Sequence, residues 1–307
     1  MLVLTSVLPT QDTELAWFDR SGRRLGAVAL PGSCNRAVLS PDDRTLASDC
    51  IDSQSGKRDV WTTDLSRGIS SRVAPGAFAV WLPDSRQVAF ATRDVGTKDI
   101  VERQVNGPDE QIALLKSTPG FPSAFSPDGG WLLLRNPRDI SLLATRNNRP
   151  AQAIVYRRFT NDSGSYALSA VFSPDGQWLA YESNESGRQE IFVESFGNGP
   201  HARRSERWQV SNHGGVQPRW RRDGRELFYL SPSERQVKAV EIHRVATTIE
   251  PGVPTALFSV RLSRLLVYGF NVTGDGQRFL VQVLASVPEP FPATVISNWP
   301  AMLTKAH

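Results

Sequence analysis

The apolar residues of this chain fall in short runs with the two-residue period of strands, and nowhere with the 3.6-residue spacing of an amphipathic helix. Six runs are tied to an aspartate: Asp42, Asp84, Asp128, Asp175, Asp223 and Asp275. Three residues before these stand Leu39, Trp81, Phe125, Phe172, Trp220 and Val272; four after stand Leu46, Val88, Leu132, Leu179, Leu227 and Phe279. Most copies are also apolar at five and six residues after, as in Ala180-Tyr181 and Phe228-Tyr229. A strand apolar on both faces must be sandwiched between neighbours.

The aspartates belong to a turn. Ser126-Pro127-Asp128-Gly129 and Ser173-Pro174-Asp175-Gly176 are its fullest copies, and Pro41-Asp42-Asp43 and Pro83-Asp84-Ser85 its most degenerate. Proline presets φ, the aspartate bonds its own following backbone and glycine accepts a positive φ, so the motif closes a hairpin. A third strand, opened by an acidic residue, is predicted at Asp59, Asp99, Asp139 and Glu190, with looser versions at Val237 to Ile242 and Ala293 to Ser297. Outer strands are predicted near Ser70 to Val73, Gln111 to Leu115, Ala153 to Arg158 and Arg207 to Ser211.

Successive aspartates are 42, 44, 47, 48 and 52 residues apart, the period of a propeller blade. The expected fold is therefore all-β: a six-bladed β-propeller of four-stranded antiparallel blades, with seven blades as the alternative. Blades bury their faces on each other, so residues 1–307 read as one propeller domain with an irregular segment at 1–13. Closure is expected at a seam. A hairpin from Glu14 to Leu30 supplies the outer strands of a blade whose inner strands are Tyr268 to Thr273 and Arg278 to Val283.

Composition narrows the chemistry. The chain has 307 residues, 40% hydrophobic, which excludes disorder, and 44 glycines and prolines that punctuate short elements. Its net charge of +4 lacks the concentrated field of a nucleic-acid binder. Two cysteines and four scattered histidines offer no metal site, and no cofactor motif is present. Met1 to Pro9 has no basic region or cleavage pattern of a signal peptide, and no stretch is long enough to span a membrane as a helix. If the hairpin at Asp42 and Asp43 is regular, Cys34 and Cys50 lie opposite each other; of the two readings, a disulfide or two small buried thiols, the sequence favours the thiols.

The blocks from Phe172 to Val193, Leu15 to Gly22, Gln217 to Leu230 and Asp275 to Val281 resemble TolB-type, WD-like bacterial propeller repeats. They resemble in particular the propeller region C-terminal to bacterial eukaryotic-like Ser/Thr kinases. The resemblance implies a sensor or docking module, generally extracytoplasmic. The chain itself carries no kinase motif, no G-x-S-x-G elbow and no P-loop, and without an export signal it reads as cytoplasmic as encoded.

The expected function is a non-catalytic module that takes a protein or peptide partner, or a small ligand, as a monomer. The alternative is a hydrolase or lyase with carboxylates facing the channel. Topology places Asn35, Arg36, Asp162, Asn212, His213 and Gln217 on the face opposite the hairpins, around the channel mouth. A second candidate is the arginine-rich stretch with Arg203, Arg204, Arg207, Arg219, Arg221 and Arg222, suited to an acidic partner. The pairs Arg58-Asp59, Lys98-Asp99 and Arg138-Asp139 read as a solvated loop edge.

Overall fold

The computed structural model describes residues 13–51, 56–93, 95–136, 139–145, 154–156, 166–196, 206–245, 248–262 and 269–284, with 35 and 154–156 described by backbone alone. Two strands come first, β1 (Thr13–Asp19) and β2 (Arg24–Val28). Blade one is β3 (Ser33–Leu39), β4 (Thr45–Ile51), β5 (Arg58–Asp64) and β6 (Ile69–Pro75); blade two is β7 (Ala77–Trp81), β8 (Gln87–Ala91), β9 (Lys98–Gln104) and β10 (Ile112–Thr118). Blade three is β11 (Phe121–Phe125), β12 (Trp131–Arg135), β13 (Ile140–Ala144) and β14 (Ile154–Tyr156); blade four is β15 (Ala167–Phe172), β16 (Trp178–Ser183), β17 (Glu190–Ser195) and β18 (Arg207–Gln209). Blade five is β19 (Val216–Trp220), β20 (Glu226–Ser231) and β21 (Gln236–Val245), whose outer edge is shared by β22 (Thr248–Pro251) and β23 (Thr255–Ser259). Blade six joins the chain ends: β24 (Phe270–Val272) and β25 (Arg278–Leu284) inside, β1 and β2 outside.

The molecule is a six-bladed β-propeller, and the seam is where the sequence places it. β1 pairs with β25 from Thr13↔Leu284 to Asp19↔Arg278. Thr13, expected in the irregular segment, opens that strand. The segment from Ala293 to Ser297 lies outside the described residues, and β1 occupies the position beside β25 predicted for it. Each inner strand touches the next, β3 to β7, β11, β15, β19 and β24, and β24 touches β3, closing the ring.

The repeated turn is built as its residues require. Ser126 Oγ donates to Asp128 at 2.6 Å and accepts from Trp131 N at 2.9 Å, while Gly130 N donates to the Asp128 carboxylate at 3.0 Å. Ser40, Ser173 and Thr273 repeat the arrangement. The residue after the aspartate is left-handed in every copy: Gly129, Gly176, Gly224 and Gly276 have φ of 67 to 71°, and Asp43 and Ser85 hold 63° and 59°. The degenerate copies therefore keep the turn, and their side chains carry the cost of positive φ.

Six apolar clusters fill the six interfaces between blades. They differ in size. Between blades five and six, Phe228, Phe258, Phe270 and Phe279 are packed with eight more buried residues. Between blades six and one, among the described residues, the buried members of the cluster are Leu15, Ala37, Leu46 and Leu280. Polar contacts reinforce this thin interface. Asn271 accepts from Leu39 N at 3.0 Å and donates to Ala37 O at 2.9 Å, and Gly274 N donates to Asp43 at 2.9 Å.

Cys34 and Cys50 are register partners on β3 and β4, as the hairpin arithmetic requires, and they form a disulfide rather than the favoured pair of thiols. Titration of the denatured, unreduced protein is expected to find no reactive thiol at these positions, and two after reduction. Two in the unreduced protein would contradict the bridge.

Candidate functional site

The inner strands enclose a central cavity of about 340 Å³. Its waist is one position repeated six times, four residues before each motif aspartate: Val38, Val80, Ala124, Val171, Arg219 and Asn271 all line it. Four aliphatic side chains from blades one to four thus face a guanidinium and an amide from blades five and six.

The mouth opposite the hairpins is shaped by a second repeated position, six residues before the aspartate. Phe78, Ser169 and Gln217 stand there with φ of 60°, 51° and 54°, each within a bulge of the inner strand. A bulge re-aims a side chain, and a left-handed non-glycine residue costs of order 1–3 kcal/mol. Buried carboxylates of the preceding blade hold two of the three. Asp49 accepts from Phe78 N at 2.6 Å and Ala79 N at 3.3 Å, and Glu182 accepts from Gln217 N at 3.1 Å. Burial raises both carboxyls above the ordinary range, against the opposing charges of Arg36 at Asp49 and of Arg135 and Arg219 at Glu182.

This gives a signed pH dependence. Glu182 has a raised folded-state pKa, so as pH rises past its unfolded value the native state keeps a proton that the unfolded chain has released, and stability falls until the folded pKa is passed. Glu182→Gln keeps an acceptor and removes this titration. The variant is expected to gain stability relative to the native protein as pH rises from about 4.5, close to the ordinary glutamate value. Urea midpoints across that range measure it, and a difference that shrinks with pH would contradict it.

The positive groups at the mouth sit on aromatic faces. The Arg36 and Arg135 guanidiniums lie 5.6 and 5.4 Å from the centroid of the Phe78 ring. The Phe121 ring lies tilted against Phe78, centroids 4.0 Å apart, and carries the buried Lys98 ammonium 3.4 Å from its centroid. Such contacts contribute about 0.5–2 kcal/mol each and help to place the cations at the mouth. Arg219 donates to Pro218 O at 2.8 Å. Burial and the charge of Arg36 hold its pKa down at about 10, with Glu182 partly offsetting them.

Among the residues named from sequence for the mouth, Arg36 lines the cavity. Asn35 is the bulged residue between Cys34 and Arg36, described by its backbone alone. Gln217 is buried beside the cavity and bridges blades four and six, its N–H to Glu182 and its Oε1 accepting from Phe270 N. Asn212 and His213 are exposed on the link between β18 and β19: the Asn212 carbonyl accepts from Arg188, and His213 Nδ1 is 3.7 Å from Glu234. Asp162 lies outside the described residues.

The arginine-rich stretch is dispersed. Arg203 and Arg204 lie outside the described residues. Arg207, on the outer strand of blade four, pairs with Glu185 and covers the Phe192 ring. Arg221 binds Asp223 and Glu226 at the foot of blade five, and Glu226 also takes Arg20 of blade six. Arg222 reaches Pro41 O at 2.6 Å and Asp43 at 2.8 Å, joining the hairpins of blades five and one. Arg219 alone of the four lies at the waist. The solvated reading of the Arg/Lys-Asp pairs is corrected at the first two, since Asp59 and Lys98 are buried, 7% and 4% exposed, and Arg72 clamps Asp59 at 2.7 and 2.8 Å, while Arg138 of the third pair lies outside the described residues. Lys98 is drawn inward by the Phe121 face.

Sequence reading passed over Phe78, Arg135 and Asn271. Aligning the six copies at the positions four and six residues before the aspartate, and seven after it, finds all three.

The fold has solved relatives. A protein assigned as TolB from Agrobacterium tumefaciens superposes with a TM-score of 0.66 at 17% identity, over 90% of this chain and 99% of its own. TolB from Acinetobacter baumannii gives 0.54 at 17% identity, over 79% of this chain and 64% of its own. A protein assigned as a 6-phosphogluconolactonase from Bacteroides uniformis gives 0.57 at 16% identity, over 87% and 88%. At these identities the likeness is one of fold. No protein-family model matches the sequence, and no curated protein matches it. Among the described residues no helix is long and apolar enough to cross a membrane, and no cluster of histidine, cysteine, aspartate or glutamate could hold a metal ion.

Proposed function

We propose that the chain is a non-catalytic, TolB-like binding module that receives a protein, peptide or small ligand at its central channel, and that it is related to the sensor region of eukaryotic-like Ser/Thr kinases. The observation that carries this is the make-up of the cavity. All six inner strands contribute to its wall, which combines an aliphatic side with Arg36, Arg135 and Arg219. Concave, largely apolar sites with a few convergent polar groups are the usual form of ligand pockets. Glycoside hydrolysis or a comparable acid–base reaction needs two carboxylates facing each other across the site. Among the described residues Asp43 is the one carboxylate in the lining, and it is bonded to Arg222 and Gly274. Asp49 and Glu182 are occupied by main-chain donors of the next blade. The motif resemblance to kinase-borne propellers supports a sensor role in the same direction.

Blocking the channel tests this reading. Ala124→Trp fills the waist and Arg36→Glu reverses charge at the mouth, and each variant is first shown to keep the native melting temperature. A partner retained from native-cell extract by the original protein is expected to be lost by both. Equal recovery by both variants would overturn channel binding.

A further inference from the structure

We propose that the cavity is a site for a compact oxyanion, a carboxylate or phosphate group on a small, partly apolar molecule, gripped by Arg36, Arg135 and Arg219. The inference rests on the channel as the binding site and adds the chemistry of what enters it.

Three observations converge. The first is placement. Arg36 belongs to blade one, Arg135 to blade three and Arg219 to blade five, so the three guanidiniums come from alternate blades of a six-bladed ring and approach one cavity from three sides. Two of them share the Phe78 ring, and the third feels the charge of the first. Guanidinium forks match carboxylate and phosphate oxygens two at a time, and three forks around an axis suit a tetrahedral or branched oxyanion.

The second is charge balance. Among the described residues no carboxylate lies within ion-pair distance of Arg219, which bonds its neighbour's carbonyl instead. The two buried acids near these cations, Asp49 and Glu182, are both shifted toward the neutral form by burial and bound to main-chain N–H groups. The three guanidiniums thus line one partly desolvated space, where an entering anion interacts more strongly than it would in water.

The third is shape. The aliphatic side of the waist, Val38, Val80, Ala124 and Val171, leaves the remainder of the ligand an apolar wall. A volume of about 340 Å³ admits a small metabolite. At the other end, Arg222 spans from blade five to the blade-one hairpin, and a side chain at Gly274 would collide with it, so ligand entry is expected from the Phe78 end.

Calorimetric titration of the intact protein with inorganic phosphate and with citrate tests the assignment. One anion is expected to bind per chain. Arg219→Gln and Arg135→Gln are each expected to weaken it about 10-fold or more, the effect of losing a charge-assisted hydrogen bond of about 1.5–3 kcal/mol. Arg67→Gln, which removes an exposed arginine at the outer edge of blade one, is expected to leave it unchanged. Tighter phosphate assigns a phosphoryl group, and tighter citrate a carboxylate. If Arg219→Gln does not fold, Arg135→Gln and Arg219→Lys carry the same comparison, since lysine keeps the charge and loses the fork. Absence of binding by either anion at millimolar concentration, or binding that Arg67→Gln weakens as much as the channel variants do, would overturn the oxyanion site. If in either case Ala124→Trp still abolishes partner capture, channel binding stands and only its chemistry is wrong; if capture survives that block, the module reading itself fails.

Discussion

Phe279→Ala is expected to destabilise the propeller by about 3–5 kcal/mol, the range for removing a fully buried aromatic ring from a packed core. Phe279 is 0% exposed and stands four residues after the motif aspartate of the last blade. Its ring meets Phe228 edge-on at 5.3 Å and Phe258 at 5.4 Å, and stacks near Phe270 at 6.5 Å. These rings join blade five to the blade made from both chain ends, so the void would open beside the seam. Leucine at this position, which refills part of the volume, is expected to recover a share of the loss. Urea unfolding followed by tryptophan fluorescence measures both variants, and a loss below about 1 kcal/mol for alanine would mean that the interface can collapse around the gap.

The second large effect is expected at Asn271. Its amide is 3% exposed and serves two main-chain groups of blade one, the Leu39 N–H and the Ala37 carbonyl. Asn271→Ala leaves both without that partner at the interface that, among the described residues, has the fewest buried apolar side chains. An orphaned buried polar group costs about 1–3 kcal/mol, so the pair should cost about 2–6 kcal/mol. The loss should also be local. Amide exchange is expected to accelerate in β3, β24 and β25 ahead of β16 and β20, because blade six is the place where a ring held by non-covalent seams can part. Uniform acceleration through all six blades would contradict that account of closure.

How much of this was legible in the sequence depends on which atoms carry each feature. The hairpin turn, the doubly apolar strands and the seam were readable because each rests on side-chain chemistry repeated at fixed offsets, as in Ser126, Asp128, Gly129 and Leu132. Even Asp43 and Ser85, departures from the motif, hold the same left-handed φ, since the neighbouring turn bonds impose it. The channel mouth was less legible. Its ring position is Arg36, Phe78, Pro122, Ser169, Gln217 and Gly269, six residue types with no common chemistry. What several of these positions share is a main-chain bulge, and at Phe78 and Gln217 the acceptor holding it comes from the preceding blade, at Asp49 and Glu182. Local sequence carries no mark of an acceptor that distant. The arginine-rich stretch shows the converse: Arg207, Arg219, Arg221 and Arg222 are close in sequence, yet strand alternation and the hairpin send them to an outer edge, the waist and the foot of the ring.

The most direct test of the channel as the functional site is a crystal structure of the protein with its captured partner or ligand. The account predicts density on the propeller axis, entering from the Phe78 end and within hydrogen-bond distance of at least two of Arg36, Arg135 and Arg219. A partner seated on the outer strands or on the hairpin face, with the cavity holding only solvent, would contradict it.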